Sequence, residues 1–586
     1  MDRLRSTRGR FERRTMLFHL CAVALLLLLM IRLLDLQWFQ YEGLFLQAEQ
    51  NRINILPVIP TRGKIVDRFG KGLAINNVSY QVTIIPERVE NMAQILSAVS
   101  GLLQWDEKHY ERAARQLKKA RADRPVLIAE RLSWEQVAPL SARLHRLHGV
   151  DVQAGTHRHY PYARLTSHLI GYLSSANSQD VKHGFLPIEK VGRSGAEKIF
   201  ESQLHGSLGA QYEEVDAFGR RVGVLKKKPS AMGNKIRLSL DIELQEAAAK
   251  ALGDRAGAVV VMDVHTGEIL TLLSQPGVDS NRFILGLDTE QWQSWLKDER
   301  QPLLNRATQS SYPPASTFKV FISMAGLSQH LPLINQRVYC PGYLELGDSK
   351  FRCWKKRGHG YMNMHDALVQ SCDVYFYALG KQLGIKRMRS EAERWGFGAG
   401  TGIALQPESK GLAPGSGRKW YLGETVIAAI GQGKVTATPL QMARFAAAIA
   451  NGGQLLKPQL LAGQAAELMR QIELQPEHMK RVQQAMRDVV ASRKGTAHAS
   501  LFQLPWEVAG KTGTAQVVAM PQDLEKKRSL KNWHKDHAWF IGFAPYKTPR
   551  IAFAIFVEHG GHGGSAAGPV AAAIVQTLAA REASNK

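Results

Sequence analysis

The start of the chain constrains its folding most. Residues 1–14, MDRLRSTRGRFERR, hold six arginines, and the run from Thr15 to Ile31 then holds no charge at all. A run this long and this apolar matches one helix across a bilayer, with every backbone group satisfied inside the helix. Arg32 interrupts it, but Leu33 and Leu34 continue, and an arginine near the end of a span can snorkel to the headgroups. The reading is a cytoplasmic tail over 1–14 and a membrane anchor over 15–36, with the arginines holding the N-terminus inside. A cleaved signal peptide is the rival. No small-x-small site follows the run, and IRLLDLQWFQ continues in helical style, which favours an uncleaved anchor. Cys21 lies early in the run behind the bulky Phe18-His19-Leu20, an unsuitable place for lipidation. Everything beyond about residue 36 then folds outside the cytoplasm.

At 586 residues the chain exceeds one ordinary core, so two or more folded units are expected. The formal charge of +25 raises nucleic acid as a partner. The basic residues are scattered, however, and no zinc-finger, helix-turn-helix or RNA-binding motif is present, so nucleic acid is set aside. Distributed positive charge suits another anionic partner, such as a membrane surface or a cell-wall polymer.

Residues 37–235 read as a mixed α/β pedestal. PTRGKIVDRFGKGLAIN (60–76) suggests turns between short strands, residues 86–150 read as helical and strongly basic, and short mixed elements return between 155 and 235. No repeat is visible and nothing there resembles a catalytic centre, which points to a structural or partner-binding role. A second unit, 236–586, opens with LSLDIELQEAAAKALGD, a short strand and then a helix. AGAVVVMDVHTGEILTLLS reads as two strands about a turn at Thr266-Gly267. A helical middle follows, and the strands VAGKTGTAQVV, AWFIGFAP and IAFAIFVE precede the alanine-rich helix PVAAAIVQTLAAR. Strands at both ends with helices between indicate an α+β domain, helices packed on a largely antiparallel sheet.

Within that unit SYPPASTFKV (311–320) runs from a turn into an apolar helix, with Ser316 in the first helical turn and Lys319 one turn on. A serine hydroxyl needs a base within reach, and lysine serves only if burial or a neighbouring cation lowers its pKa. The pattern alone is weak: Ser294-Trp-Leu-Lys297 repeats it inside the polar segment EQWQSWLKDER, and an ordinary N-cap would also explain Ser316. Two further signals raise its weight. Ser371, in SCD (371–373), offers a second hydroxyl that could bridge protons. KTGT (511–514) puts Lys511 on a strand, ahead of Gly513, which lets a substrate backbone approach closely. Lys511 could lower the pKa of Lys319 and bind a substrate carboxylate.

Ser-x-x-Lys, Ser-Asp-Asn and Lys-Thr-Gly, in that order, are the signature of penicillin-binding proteins and class A β-lactamases, with SCD standing here in the second place. The chain resembles a class B penicillin-binding protein, within it the penicillin-binding protein 2 branch of the elongation machinery. The resemblance runs through RGKIVDR (62–68), GRSGAEKIFESQLHG (192–206), GAVVVMDVHTGEIL (257–270), YPPASTFK (312–319), IGQGKVTATPLQMA (430–443), KTGTAQ (511–516) and GGHGGSAAGPVA (560–571). It implies a β-lactamase/D,D-peptidase-like transpeptidase domain over 236–586, and a D,D-transpeptidase activity that cross-links peptidoglycan stem peptides. Ser316 would be the acylated nucleophile, Lys319 the base and Ser371 the proton relay. Lys511, Thr512 and Thr514 would hold the terminal carboxylate, and the N–H groups of Ser316 and Thr514 would form the oxyanion hole. It also implies acylation by β-lactam antibiotics and a SEDS-type glycosyltransferase partner with other elongation-complex proteins. The implied location is the bacterial inner membrane, with the catalytic domain periplasmic. Asp373 departs from the asparagine usual in the wider family. A carboxylate cannot donate as an amide does, so its expected task is to orient or ion-pair a neighbour, a lysine for instance.

Of four cysteines, Cys340, Cys353 and Cys372 lie beyond the span, an odd number for disulfides in an oxidising space. With His359 they form a closed set of four ligands suited to structural Zn2+. The resemblance adds that the positions match a metal site in some members of the branch, where aspartates can replace cysteines. One disulfide with a free thiol, or buried cysteines beside an unconnected histidine, would account for the same residues. A metal would pin Ser371 and Asp373 through Cys372. EHGGHGG (558–564) reads as a glycine-rich loop. A β-lactamase or D,D-carboxypeptidase on the same fold, a β-lactam sensor, and a septal transpeptidase are the competing functions. No Glu-x-x-Leu-Asn segment follows Ser371 to serve β-lactamase deacylation, and the 14 residues before the anchor leave no room for a signalling domain.

Overall fold

The computed structural model describes residues 2–584 apart from 121, 123–124, 188, 216–220, 418 and 518–534. The chain forms two compact units that interleave along the sequence: Met1–Thr61, Val78–His157 and Gly206–Met232 in one, and Arg62–Asn77, Arg158–His205 and Gly233–Lys586 in the other.

The first unit carries the N-terminal helix α1 (Asp2–Leu34). The stretch Arg13–Phe39 contains an 18-residue window of mean hydropathy 2.6, and it is long and apolar enough to cross a membrane. Leu25 to Leu29 are 53–67% exposed, a run of aliphatic surface that water does not favour. Three antiparallel strands follow in the order Ile53–Val58, Gly209–Val215, Arg221–Lys228. Helices Met92–Leu102 and Glu107–Lys119 are capped by the Asn91 and Asp106 side chains. The expectation of a helical 86–150 needs one correction, because Val126–Leu132 is a strand paired with Tyr80–Ile84. Pro125 blocks continuation of a helix, and the aliphatic start Val126-Leu127-Ile128 extends an available sheet edge.

The second unit takes in two segments that a linear reading assigns to the pedestal. The boundary expected at 235/236 follows the order of the chain, whereas the spatial unit recruits 62–77 and 158–205. Glu197 is a principal reason. Its carboxylate is fully buried and accepts from Arg62 Nε at 2.8 Å, Arg158 Nε at 2.7 Å and Tyr160 Oη at 3.2 Å. A buried carboxylate persists only when paired in this way, so the segments carrying its partners are held together.

The core of this unit is a five-stranded antiparallel sheet. Its strands are β1 (Gly257–Asp263), β2 (Ile269–Gln275), β3 (Ala509–Ala515), β4 (His537–Ala544) and β5 (Ile551–Val557), in the order β2-β1-β5-β4-β3. The expected turn joins β1 to β2, with Gly267 at φ +78°. Alternate residues feed two apolar layers. Val259 and Val261 pack with α2 (Ile242–Leu252) and the C-terminal helix Gly568–Ser584, whereas Val260 and Met262 pack with α3 (Phe318–Ser328) and the helix Pro439–Ala450. Covered on both faces, the strands read as continuous apolar runs. Every residue of α3 from Phe318 to Leu327 is buried, Lys319 among them. A lysine there must find its partners inside the protein.

Candidate active site

Ser316 sits in a short 3-10 turn, Ala315–Thr317, immediately ahead of α3 and not within its first turn. Ala315 has φ +52°, a conformation that costs a residue with a Cβ about 1 kcal/mol or more. The turn is held from outside: Ala315 N donates to Gly431 O at 2.7 Å, and Thr317 Oγ1 donates to Pro314 O. Gly431 has φ +69°, and a Cβ there would lie 2.3 Å from Ala315 O, so only glycine allows this approach. Ser316 is half-buried, while Thr317 and Lys319 are buried.

Lys319 Nζ donates to Asp373 Oδ1 at 2.6 Å, to Ser371 O at 2.9 Å and to Ser371 Oγ at 3.2 Å. The Asp373 carboxylate thus makes a buried ion pair with Lys319, beside which the Ser371 hydroxyl can accept a proton or donate its own. Lys511 Nζ lies 3.0 Å from the same Ser371 Oγ and 3.1 Å from Thr512 O. Burial, and then the charge of Lys319, push Lys511 well below the ordinary lysine range. The Asp373 carboxylate pairs directly with Lys319 and not with Lys511. Asp373 pairs with a lysine as its acceptor-only chemistry suggests, and its Oδ2 also accepts from Trp354 N at 2.8 Å. Burial pushes the Asp373 carboxyl up, and Lys319 opposes that shift. Ser371 has φ +56°, so both serine motifs sit on or beside left-handed backbone.

The third motif lies on β3, the terminal strand of the sheet. A Cβ at Gly513 would stand 2.9 Å from Trp539 Cβ and 3.0 Å from Thr317 Cγ2, so the strand rests directly against the Ser316 turn. Thr512 Oγ1 meets Thr496 Oγ1 at 2.6 Å, and the half-buried Thr514 accepts from Gln432 Nε2 at 3.0 Å through its main-chain oxygen. Ser316, Lys319, Ser371, Asp373, Lys511, Thr512, Gly513 and Thr514 all belong to the second unit. Sequence reasoning missed Trp354, Thr496 and Gln432. Gln432 lay within the quoted IGQGKVTATPLQMA, but a glutamine between two glycines carries no chemical signature of its own.

Cys340 Sγ, Cys353 Sγ, Cys372 Sγ and a ring nitrogen of His359 all lie within 4.8 Å of one another, and no disulfide joins the three thiols. His359 Nδ1 is 3.6 Å from Cys340 Sγ and 3.5 Å from Cys353 Sγ. Asp373 N donates to Cys353 Sγ at 3.4 Å, which joins this cluster to the lysine pair. The rival lysine motif is elsewhere: Ser294 and Lys297 lie on a helix with no buried residue, and Ser294 Oγ bonds within its own turn. Glu558, at the head of the glycine-rich loop, accepts from Arg306 Nη2 at 3.0 Å and Tyr312 Oη at 2.9 Å.

Residues 257–576 match the family described as the penicillin binding protein transpeptidase domain, and residues 57–238 match the penicillin-binding protein dimerisation domain. The chain is 37% identical over 566 residues to the peptidoglycan D,D-transpeptidase MrdA of Acinetobacter baumannii, covering 92% of this chain and 84% of that protein. Among solved structures, the penicillin-binding protein PBP2 of Helicobacter pylori in complex with MreC matches with a TM-score of 0.78 at 30% identity, over 90% of this chain and 98% of that one. A structure showing how a peptidoglycan synthase complex coordinates polymerisation and cross-linking matches with a TM-score of 0.72 at 29% identity, over 97% and 98% of the two chains. With its three motifs converging on one buried Ser371 hydroxyl and its similarity running from end to end, the chain belongs to the penicillin-binding protein transpeptidases of the PBP2 (MrdA) type.

Proposed function

We propose that this chain is a peptidoglycan D,D-transpeptidase that cross-links stem peptides through an acyl-enzyme on Ser316 during cell elongation. The carrying observation is that the Ser371 hydroxyl lies between two lysine amines, at 3.2 Å from Lys319 and 3.0 Å from Lys511. In this reading Lys319 rests as the ion-pair partner of the Asp373 carboxylate, and burial favours the neutral form of Lys511. A substrate carboxylate arriving at Lys511 stabilises its charged form. One proton then passes from Lys319 to Ser371 Oγ as the Ser371 proton passes to Lys511, which leaves Lys319 neutral. Lys319 next takes the Ser316 proton as Ser316 Oγ attacks the carbonyl carbon of the penultimate D-alanine. The main-chain N–H groups of Ser316 and Thr514 stabilise the oxyanion, and Thr512, Gly513 and Thr514 line the terminal carboxylate. Collapse breaks the C–N bond, and the departing D-alanine amine takes its proton through Ser371. An amine of a second stem peptide then attacks the ester and releases Ser316.

Asp373 acts by holding Lys319 in place. The four-ligand cluster fits structural zinc in donor type, number and burial. Cys340, Cys353, His359 and Cys372 would hold the ion, which supplies no chemistry to acyl transfer and fixes the Ser371–Asp373 segment. The anchor reading places the N-terminus in the cytoplasm and the second unit in the periplasm, with one span. The likeness to PBP2 bound to MreC, and to a synthase complex that couples polymerisation with cross-linking, supports an elongation partner of the MreC kind and a SEDS-type glycosyltransferase. Mass spectrometry of the full chain with a β-lactam, then with a D-Ala-D-Ala donor and an amine acceptor, tests the proposal. It expects an adduct on Ser316, absent in Ser316→Ala, and transfer to the amine. Hydrolysis alone would make the protein a carboxypeptidase.

A further inference from the structure

We infer that Gln432 is a specificity-determining latch on the acyl-donor groove, closing the edge of β3 until a substrate N–H displaces it. This rests on the transpeptidase reading above. β3 is the terminal strand of the sheet, so among the described residues one of its edges has no strand partner. Residues two apart on a strand present their main chain to the same edge. Two oxygens of this strand take side-chain donors in place of a neighbouring strand: Thr512 O meets Lys511 Nζ at 3.1 Å, and Thr514 O accepts from Gln432 Nε2 at 3.0 Å. An extended peptide entering beside β3 would pair with these same groups, as peptides do when they add to a sheet edge.

The two donors are not equivalent. Lys511 is buried and serves Ser371 as well, whereas Gln432 is half-buried and its side chain makes this one hydrogen bond among the described residues. Gly431 and Gly433 flank it at φ +69° and +75°, so the loop carries the glutamine between two left-handed turns. Swinging the amide off Thr514 O breaks one bond and exposes no buried charge. It frees an acceptor for a donor N–H on the incoming acyl group, next to the Ser316 turn against which Gly513 rests. Ligands with such an N–H gain the acceptor and compete with the glutamine for it; ligands without one are indifferent to it.

The experiment compares acylation of the full chain in detergent by benzylpenicillin, which carries an acylamino N–H, and by a carbapenem, which lacks one. Gln432→Ala removes the latch, and Gln432→Asn keeps the amide but shortens its reach. Both variants are expected to raise the second-order acylation constant for benzylpenicillin about five-fold, the equivalent of one ordinary hydrogen bond of about 1 kcal/mol, and to leave that for the carbapenem unchanged. An unchanged ratio of the two constants overturns the latch. So does a fall in both, which would make Gln432 a strut for the Ser316 turn. Failure of the parent chain to acylate with either drug would sink the transpeptidase reading instead, so the two failures are distinguishable.

Discussion

Replacing Ser371 by alanine separates the proton path from the rest of the site. The substitution deletes the one oxygen that, among the described residues, lies within hydrogen-bonding distance of both lysines, 3.2 Å from Lys319 and 3.0 Å from Lys511. Each amine keeps other partners: Lys319 retains Asp373 Oδ1 and Ser371 O, and Lys511 retains Thr512 O. The stability cost is therefore that of ordinary hydrogen bonds without a stranded charge, about 1–2 kcal/mol. The kinetic cost is larger, because general acid–base assistance contributes roughly 10²- to 10⁴-fold, or about 3–5 kcal/mol of barrier. Stopped-flow acylation by a fluorescent penicillin should accordingly slow by at least about 100-fold, while thermal unfolding shifts by only a few degrees. Ser371→Gly serves as the backbone control, since glycine accepts φ +56° without strain. If both variants acylated within about three-fold of the parent, Ser371 would be a bystander and the exchange of charge between the lysines would be wrong.

Other expectations follow from separate parts of the molecule. Cys353→Ser removes one thiolate from the cluster and its contact with Asp373 N, so metal analysis should fall from about one zinc per chain to none; equal metal content in the variant would refute the site. Glu197→Gln leaves the buried Arg158 facing an uncharged amide, while Arg62 keeps Glu201, and denaturant unfolding should show a loss of about 3 kcal/mol. A loss below about 1 kcal/mol would show that the network does not join the segments. His168 is pushed by burial from 6.5 down to about 4, so the unfolded chain takes up its proton first. Its share of stability is whole above pH 6.5 and is lost as pH falls toward 4, about 3 kcal/mol in all. His168→Gln should flatten that part of the stability–pH curve, and an unaltered curve would place the acid sensitivity elsewhere.

Much of this architecture is legible in the residues. The apolar run behind six arginines reads as the N-terminal helix, and the paired apolar runs around Thr266-Gly267 read as β1 and β2, because hydrophobic spacing reports local geometry directly. Asp373 is legible for a different reason: a carboxylate accepts and never donates when ionised, and a lysine is an obvious partner. The strand Val126–Leu132 is obscured by the basic helical residues around it, since its pairing with Tyr80–Ile84 is set by a partner far away in the chain. The division into units is hidden in the same way. Arg62, Arg158 and Glu197 look like ordinary surface charges until folding buries them together.

The lysine pair marks the limit more sharply. Sequence alone supplies two amines and a carboxylate, and chemistry says that one amine must be neutral for the serine to react, but nothing in the residue types says which amine stands beside the carboxylate at rest. That choice is made by backbone placement. Ser371 at φ +56° projects its carbonyl and its hydroxyl onto Lys319, and Ala315 at φ +52° sets the serine turn ahead of α3. Neither alanine nor serine favours such angles, so no propensity announces them. They persist because the surroundings fix them: Gly431 accepts from Ala315 N, and Trp354 holds Asp373, the residue that holds Lys319. The reactive arrangement is thus stored in tertiary contacts around the motifs, which is why the motifs identify the chemistry and the pairing of Lys319 with Asp373 emerges only in three dimensions.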